Sequence, residues 1–417
     1  MRRNGLWHEP DFLKLWSGQA VSHMGSTITD VGLPLTAVLM LGASPFQMGL
    51  LSGAGAAVIL VFGLFAGAWA DRLRRRPILI FADLARAAVL GTVPLAAAFH
   101  RLSMGHLYLV AAASSLLTVL FEVSYQAYLP SLVDRENLVE CNGKLALAAS
   151  IAEVGGPGLT GVLVGWITAP RAILFDAVSF LISAVSIGLI RKPEPQPERS
   201  AQPHMGREIA EGLRASWREP ILRALAQRTA TGSFFLGFGG ALYMIFAIRQ
   251  LGLSPALLGT IISVGGTSSL AGAFAAPRLV RRFGFGPTFI GAAVVTGITM
   301  LAPTLARGPV AVCAAILGVA QLFDMAWPVY FINELSLRQA VTPNHLLGRV
   351  NSAMHLLFRG ILPVGSLAGG MIAQTIGIRQ TMFLGAVGYL LSTLWLVFSP
   401  VRKLRELPEA SPIAEML

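Results

Sequence analysis

The chain has 417 residues, of which 54% are hydrophobic and only 13% charged, and its mean hydropathy is +0.66. That balance excludes an ordinary soluble enzyme of this length and defines a membrane protein. The net charge of +11 calls for no nucleic-acid partner, because its distribution reports membrane orientation and attraction to anionic lipid.

Apolar segments long enough to span a bilayer, about 17 to 25 residues each, run over 15–41, 46–69, 77–99, 106–127, 145–167 and 171–190. A second set runs over 224–248, 256–276, 286–306, 309–333, 347–374 and 380–399. The expectation is an all-α membrane protein, with twelve transmembrane helices in two pseudo-symmetric six-helix bundles. Placing both termini in the cytoplasm leaves Arg101, Arg171, Arg249, Arg307 and Arg379 outside, and Arg86, Arg228 and Arg359 within helices. The other Lys and Arg residues then fall inside, as the positive-inside rule requires. The first apolar segment is polar-studded and has no small-residue cleavage site, so it reads as helix 1 and not as a signal peptide.

In helix 1, Gln19, His23, Ser26 and Asp30 follow one another at spacings of four, three and four, which puts them on one helical face. That face either lines a substrate cavity or glues helices together by hydrogen bonds. Helix 2 ends in Gly67-Ala-Trp-Ala-Asp71-Arg72-Leu-Arg-Arg75-Arg76-Pro. Gly67 allows close helix packing, Asp71 can hold an arginine or cap a helix N-terminus, and the arginines fix the loop on the cytoplasmic side. Asp83 and Arg86, at i and i+3 toward the cytoplasmic end of helix 3, read as a local ion pair.

An ionised side chain at bilayer depth costs at least about 2.5 kcal/mol unless it faces protein or water, so each one is a functional candidate. Glu122 in helix 4, Glu153 in helix 5, Asp176 in helix 6, Arg228 in helix 7, Asp324 in helix 10 and Arg359 in helix 11 join Asp30 in this class. Glu153 ranks first among the acids as a reversible proton carrier. It sits about 15 Å into its helix at 1.5 Å per residue, near the midplane; a structural pair with an arginine is its other reading. Asp30 comes second. Glu122 and Asp324 serve proton coupling, inner gating or packing, and Asp176 reads as structural. In helix 11, Asn351, His355 and Arg359 repeat at four and form a second polar stripe.

Residues 1–190 form the expected N-terminal bundle and 191–223 a Pro-rich cytoplasmic linker with an amphipathic helix carrying Ile209, Leu213 and Trp217. Residues 224–400 form the C-terminal bundle and 401–417 a cytoplasmic tail. The halves echo each other: Leu132 to Asn142 before helix 5 resembles Ala340 to Asn351 before helix 11. Gly272, Arg278, Arg281 and Arg282 repeat part of the helix 2 loop. Cys141 in a predicted loop and Cys313 in a predicted helix give no basis for a disulfide. The seven histidines lack ligand spacing, and no phosphate-binding Gly-rich loop is present, so neither metal, cofactor nor enzymatic chemistry is expected.

Gly67, Asp71, Arg72, Arg75 and Arg76 resemble the helix 2–3 loop motif of the major facilitator superfamily, with Arg74 in place of its second glycine. Gly156-Pro157-Gly-Leu-Thr-Gly161 in helix 5 is similar to the signature associated with antiporters of that superfamily. Leu15 to Gly25, Gly42 to Leu50 and Tyr125 to Val133 look like the drug:proton antiporter branch, that of the enterobactin exporter and the macrolide efflux proteins. The resemblance implies the major facilitator fold, a plasma-membrane location, and export of small lipophilic or amphipathic compounds by proton antiport and alternating access; nothing in the sequence requires more than a monomer. Lipid or lysolipid translocation, uncoupled transport and a non-transporting receptor or scaffold are the alternatives. One departure stands out: no Lys or Arg lies between His106 and Tyr128, where many members of the branch carry an arginine.

Overall fold

The computed structural model of the chain describes residues 6–70, 74–133, 137–194, 205–343 and 346–408, with the backbone alone at 59–61, 63–70, 139 and 205–209. The first half forms α1 (Pro10–Leu39), α2 (Pro45–Ala70), α3 (Arg75–Ala98), α4 (Met104–Leu132), α5 (Leu138–Ile167) and α6 (Ala169–Gly188). After the linker come α7 (Met205–Arg218), α8 (Pro220–Ile245), α9 (Pro255–Phe283), α10 (Phe285–Thr299), α11 (Ala302–Leu305) and α12 (Val310–Leu322). The chain ends in α13 (Ala326–Val341), α14 (Leu347–Ile376), α15 (Ile378–Leu391) and α16 (Leu394–Val397).

Ten helical stretches among the described residues are long and apolar enough to cross a membrane. α1 and α2 have 30 and 26 residues, enough at 1.5 Å per residue to exceed a hydrocarbon core of roughly 30 Å. α1 is the more polar because of Lys14, Gln19, His23 and Asp30.

Proline and side-chain caps set several helix starts. Pro10 and Pro220 open α1 and α8, where the missing N–H costs nothing. Glu219 caps α8 by accepting from the Leu222 amide at 2.5 Å. Pro220 also divides the expected amphipathic stretch, so Arg223 belongs to α8. α7 packs through Gly212 and Ser216 and leaves Trp217 exposed. Cys141 is fully buried in the first turn of α5, not in a loop.

The packing forms two compact units. One holds residues 1–44, 54–202 and 254–263, the other 45–53, 203–253 and 264–417. The opening turns of α2 and α9 thus each join helices from the opposite half of the sequence. In the N-terminal unit, Gly18, Gly25 and Gly32 recur every seven residues and bring α1 against α6. A side chain on Gly25 would strike the Asp176 carboxylate and the Ser179 hydroxyl. In the C-terminal unit, α8 packs Phe235 and Phe238 onto glycines of α14 and α15. The core continues through Phe285, Phe289 and Tyr330.

The inferred repeat has a backbone signature. Thr168 opens α6 at φ 85° and ψ 152°, and Gly377 opens α15 at φ 91° and ψ 159°. Few side chains tolerate that region; the second half meets it with glycine.

Candidate functional site

Ionisable groups gather inside the N-terminal unit where α1, α3, α4 and α6 converge. Asp83 and Asp176 are 0% and 1% exposed. Asp176 accepts a hydrogen bond from Thr29 at 2.5 Å and another from Ser179 at 3.0 Å. Asp30, the next residue on α1, is exposed. Arg86 pairs with Asp83 through one carboxylate oxygen, and its guanidinium lies 4.4 Å from the Phe121 ring and 4.0 Å from the Phe180 ring. Asp176, Glu122 and His23 lie within electrostatic range of it. Asp83 lies eight residues into α3, roughly 12 Å at 1.5 Å per residue, so the ion pair is deep in the unit and not at the end of its helix. Phe rings on both faces and a carboxylate at the edge compensate the guanidinium for lost water.

The C-terminal unit contains a second buried guanidinium. Arg228 on α8 lies 4.2 Å from the Tyr330 ring and 4.6 Å from the Tyr389 ring, and it donates to the Tyr389 hydroxyl at 2.7 Å. Arg228 is enclosed in the core, 4% exposed. Nearby on α13, Arg338 and Glu334 form a buried pair at 3.4 Å.

The same unit holds a cavity of about 330 Å³ among α8, α10 to α12 and α15, with Phe235, Tyr243, Gln321 and Asp324 in its walls. Asp324 occupies a 3₁₀ turn, Phe323–Met325, that separates α12 from α13. It accepts from the Ser269 hydroxyl at 3.0 Å.

The other sequence candidates are distributed as follows. Gln19 is buried and donates to Ser183 at 3.1 Å, inside the α1–α6 seam. His23 is exposed and Ser26 half-buried. Glu122 and Glu153 are exposed, without a hydrogen-bond or ion-pair partner among the described residues. On α14, Asn351 is half-buried while His355 and Arg359 are exposed. Asp71 and Arg72 lie outside the described residues, and Gly67 is described in its backbone alone. Arg75 and Arg76 open α3, and their amides donate to the Glu194 carboxylate at 2.6 and 3.1 Å. Arg76 also donates to the carbonyls of Ile187 and Gly188 at 3.1 and 2.6 Å. In α5, Gly156 faces Thr27 of α1, while Gly158 and Gly161 face Ser263, Pro255 and Ala256 at the start of α9. Thr160 donates to the Gly156 carbonyl at 2.7 Å, beside the turn where Pro157 has no amide hydrogen to give.

An all-helical protein of many spans that buries charges within them has the build of a membrane transporter. Residues 7–415 match the transmembrane secretion effector family, and the chain belongs to that family of the major facilitator superfamily. It is 27% identical over 401 residues to the multidrug efflux pump Tap of Mycolicibacterium fortuitum, covering 93% of this chain and 94% of the relative. It is 25% identical over 412 residues to macrolide efflux protein A of Streptococcus pyogenes, with 95% and 97% covered. A bacterial homologue of the iron transporter ferroportin, solved facing inward, superposes with a TM-score of 0.73 at 20% identity over 93% of this chain and 98% of that one. The nucleoside transporter NupG superposes with a TM-score of 0.73 at 12% identity, covering 93% and 98%. At those identities the solved structures speak for the fold alone.

Proposed function

We propose that the protein is a secondary active exporter of small lipophilic or amphipathic compounds, working by proton antiport and alternating access as a single chain in the plasma membrane with both termini cytoplasmic. The observation that carries the reading is the buried cluster of the N-terminal unit, where Asp176 is held by Thr29 beside Asp30, and Asp83 is held by Arg86. Carboxylates at that depth are costly, and a group that gains and loses a proton there changes the charge borne by α1 and α6. Asp30 reaches the surface while Asp176 stays enclosed; that suits Asp30 to exchange the proton and Asp176 to fix the helix pair. Glu153, exposed midway along α5, is the second exchange position. The multidrug and macrolide efflux names of the relatives support the substrate class. The distribution of Lys and Arg supports the orientation. Coupling requires that substrate and proton bind the two open states with different affinities.

Everted vesicles with an acid lumen test this. Lipophilic cations, macrolides, catecholates and lysolipids are added while lumenal pH is followed. Proton efflux triggered by one class, and lost in Asp30→Asn or Glu153→Gln, is the expected result. Substrate uptake that leaves lumenal pH unmoved would replace antiport by uncoupled transport.

A further inference from the structure

Positive charge collects at one end of the C-terminal unit, in a cleft of about 960 Å³. Arg281 and Arg282, from the last turn of α9, line it together with Arg402, Lys403 and Arg405 from the segment after α16. Glu406 is the one acidic residue of the lining, so five positive charges stand against one negative. All five basic side chains are exposed, and none has a hydrogen-bond or ion-pair partner among the described residues. The sequence explains why α9 brings no counter-charge of its own. Its arginines repeat those of the helix 2 loop, but Ala276, four residues after Gly272, stands where Asp71 stands four residues after Gly67.

The backbone holds this cleft in shape. Gly284, at φ 83°, turns the chain from α9 into α10. The amides of Phe285 and Gly286 then donate to the carbonyls of Arg405 and Leu404 at 2.9 and 2.8 Å. A side chain on Gly286 would strike the Val401 carbonyl. The basic C-terminal segment is thus clamped to the α9–α10 corner through its main chain, which leaves its cationic side chains free for a ligand. The clamp also occupies two amides in the first turn of α10, so the side chains and not a helix end supply the anion-binding groups.

Depth identifies the anion. The span Pro255–Phe283 ends at this corner, Phe285–Leu305 begins there, and Ile378–Val397 ends just before the turn Pro400–Lys403. The cleft therefore lies at a membrane boundary. Phe283 and Leu407 also line it, and they are 57% and 44% exposed. Such apolar surface gains nothing from a soluble phosphate, whereas the glycerol and acyl portions of a lipid would cover it. Guanidinium groups match phosphate oxygens in geometry as well as charge, and basic pockets at the cytoplasmic ends of membrane helices suit lipid headgroups. One phosphodiester would neutralise only a small part of this charge; two suit it better.

We infer that the cleft binds the headgroup of an anionic phospholipid with two phosphates, a cardiolipin, shared between the α9 arginines and the basic residues of the C-terminal segment. The inference goes beyond the export reading and takes from it only the cytoplasmic placement of this end of the unit.

The test is native mass spectrometry of the purified full chain in a neutral detergent, titrated with tetraoleoyl cardiolipin, with dioleoyl phosphatidylglycerol at matched total charge, or with dioleoyl phosphatidylcholine. The wild type is expected to retain cardiolipin in preference to both, and inorganic pyrophosphate at the same concentration should not displace it. Arg281→Gln combined with Arg282→Gln should weaken the first cardiolipin bound about 10- to 30-fold. The triple change Arg402→Gln, Lys403→Gln and Arg405→Gln should weaken it at least as much, and it decides the matter if the first pair does not fold. Arg214→Gln with Arg218→Gln removes the same charge as the α9 pair from exposed positions of α7 and should leave binding unchanged. Equal retention of phosphatidylglycerol, undiminished cardiolipin binding by the folded α9 or C-terminal variant, or an equal loss in the α7 pair would overturn the inference. Displacement by pyrophosphate would overturn it too, by making this a site for soluble anions. Each of these results leaves the export reading standing, because binding is read without transport. Cardiolipin binding that depends on these residues, in a protein that moves no compound in vesicles, would remove the export reading and keep the site.

Discussion

Phe180 and Tyr389 do the same work in the two halves of the chain: the first stacks on the Arg86 guanidinium at 4.0 Å, the second on that of Arg228 at 4.6 Å. Phe121 and Tyr330 supply the opposing ring faces and are separated in sequence by the same interval. The aromatic clamp therefore belongs to the duplicated bundle, but the cation does not. Arg86 comes from α3 and Arg228 from α8. Each half has filled the same slot from a different helix.

That difference predicts unequal costs. Arg86 is the direct ion-pair partner of Asp83, which is fully buried. Arg86→Met should destabilise the protein by about 3 to 5 kcal/mol, because it strands a charge in the core. Arg228 donates to a neutral tyrosine, and Arg228→Met should cost less, about 1 to 3 kcal/mol. Adding Asp83→Leu to Arg86→Met should restore much of the loss. Thermal unfolding of the purified single and double variants measures all three, and a double variant no more stable than Arg86→Met would refute this account.

Thr168 gives a prediction of the opposite sign. It holds φ 85° and ψ 152°, while its side chain is exposed, so the strain has no packing to offset it. Thr168→Gly should raise stability by about 1 kcal/mol, at the lower end of what such backbone strain stores. Gly377→Thr, the reverse change at the repeat position, should lower stability. A fall in melting temperature for Thr168→Gly would show that the hydroxyl or methyl makes a contact worth more than the strain.

The spans were legible because apolar runs of sufficient length have few alternatives, and the repeat was legible in part from the stretches ending at Asn142 and Asn351. The site was less so. Depth along a helix can be counted from sequence, and it ranked Glu153 first; rotation about the helix axis cannot, and it decides that Glu153 is exposed while Asp83 and Asp176 are buried. The Arg86 clamp needs three helices at once, so no local spacing announces it. The common interval between Phe121 and Tyr330 and between Phe180 and Tyr389 was the one usable signal. Likewise, the residue that receives the α3 amides is Glu194, from a stretch the sequence marked only as linker.

Glu194 should accordingly matter to the loop beyond its surface charge. Its carboxylate accepts from two amides in the first turn of α3, where negative charge also meets the positive end of the helix dipole. Glu194→Ala should cost about 1 kcal/mol and speed hydrogen exchange at Arg75 and Arg76. Glu194→Gln, which can still accept through its amide oxygen, should lie between. Unchanged exchange at both amides in the alanine variant would remove Glu194 from this role.

The α5–α9 seam offers the most direct test of alternating access. A Cβ at Gly158 would stand 3.8 Å from that of Ser263, the average separation in a disulfide. The Gly158 amide donates to the Ser263 hydroxyl at 3.0 Å in the present arrangement. The native cysteines, Cys141 and Cys313, are free and buried, which favours pairing between introduced thiols. Gly158→Cys combined with Ser263→Cys should crosslink on mild oxidation. If the first turns of α9 must leave α5 during each cycle, the bond should arrest transport and a reductant should restore it. Both single variants should transport under oxidising and reducing conditions alike. Full transport by the oxidised, verifiably crosslinked double variant would mean that this seam stays closed throughout the cycle, and the moving contacts would have to be sought elsewhere.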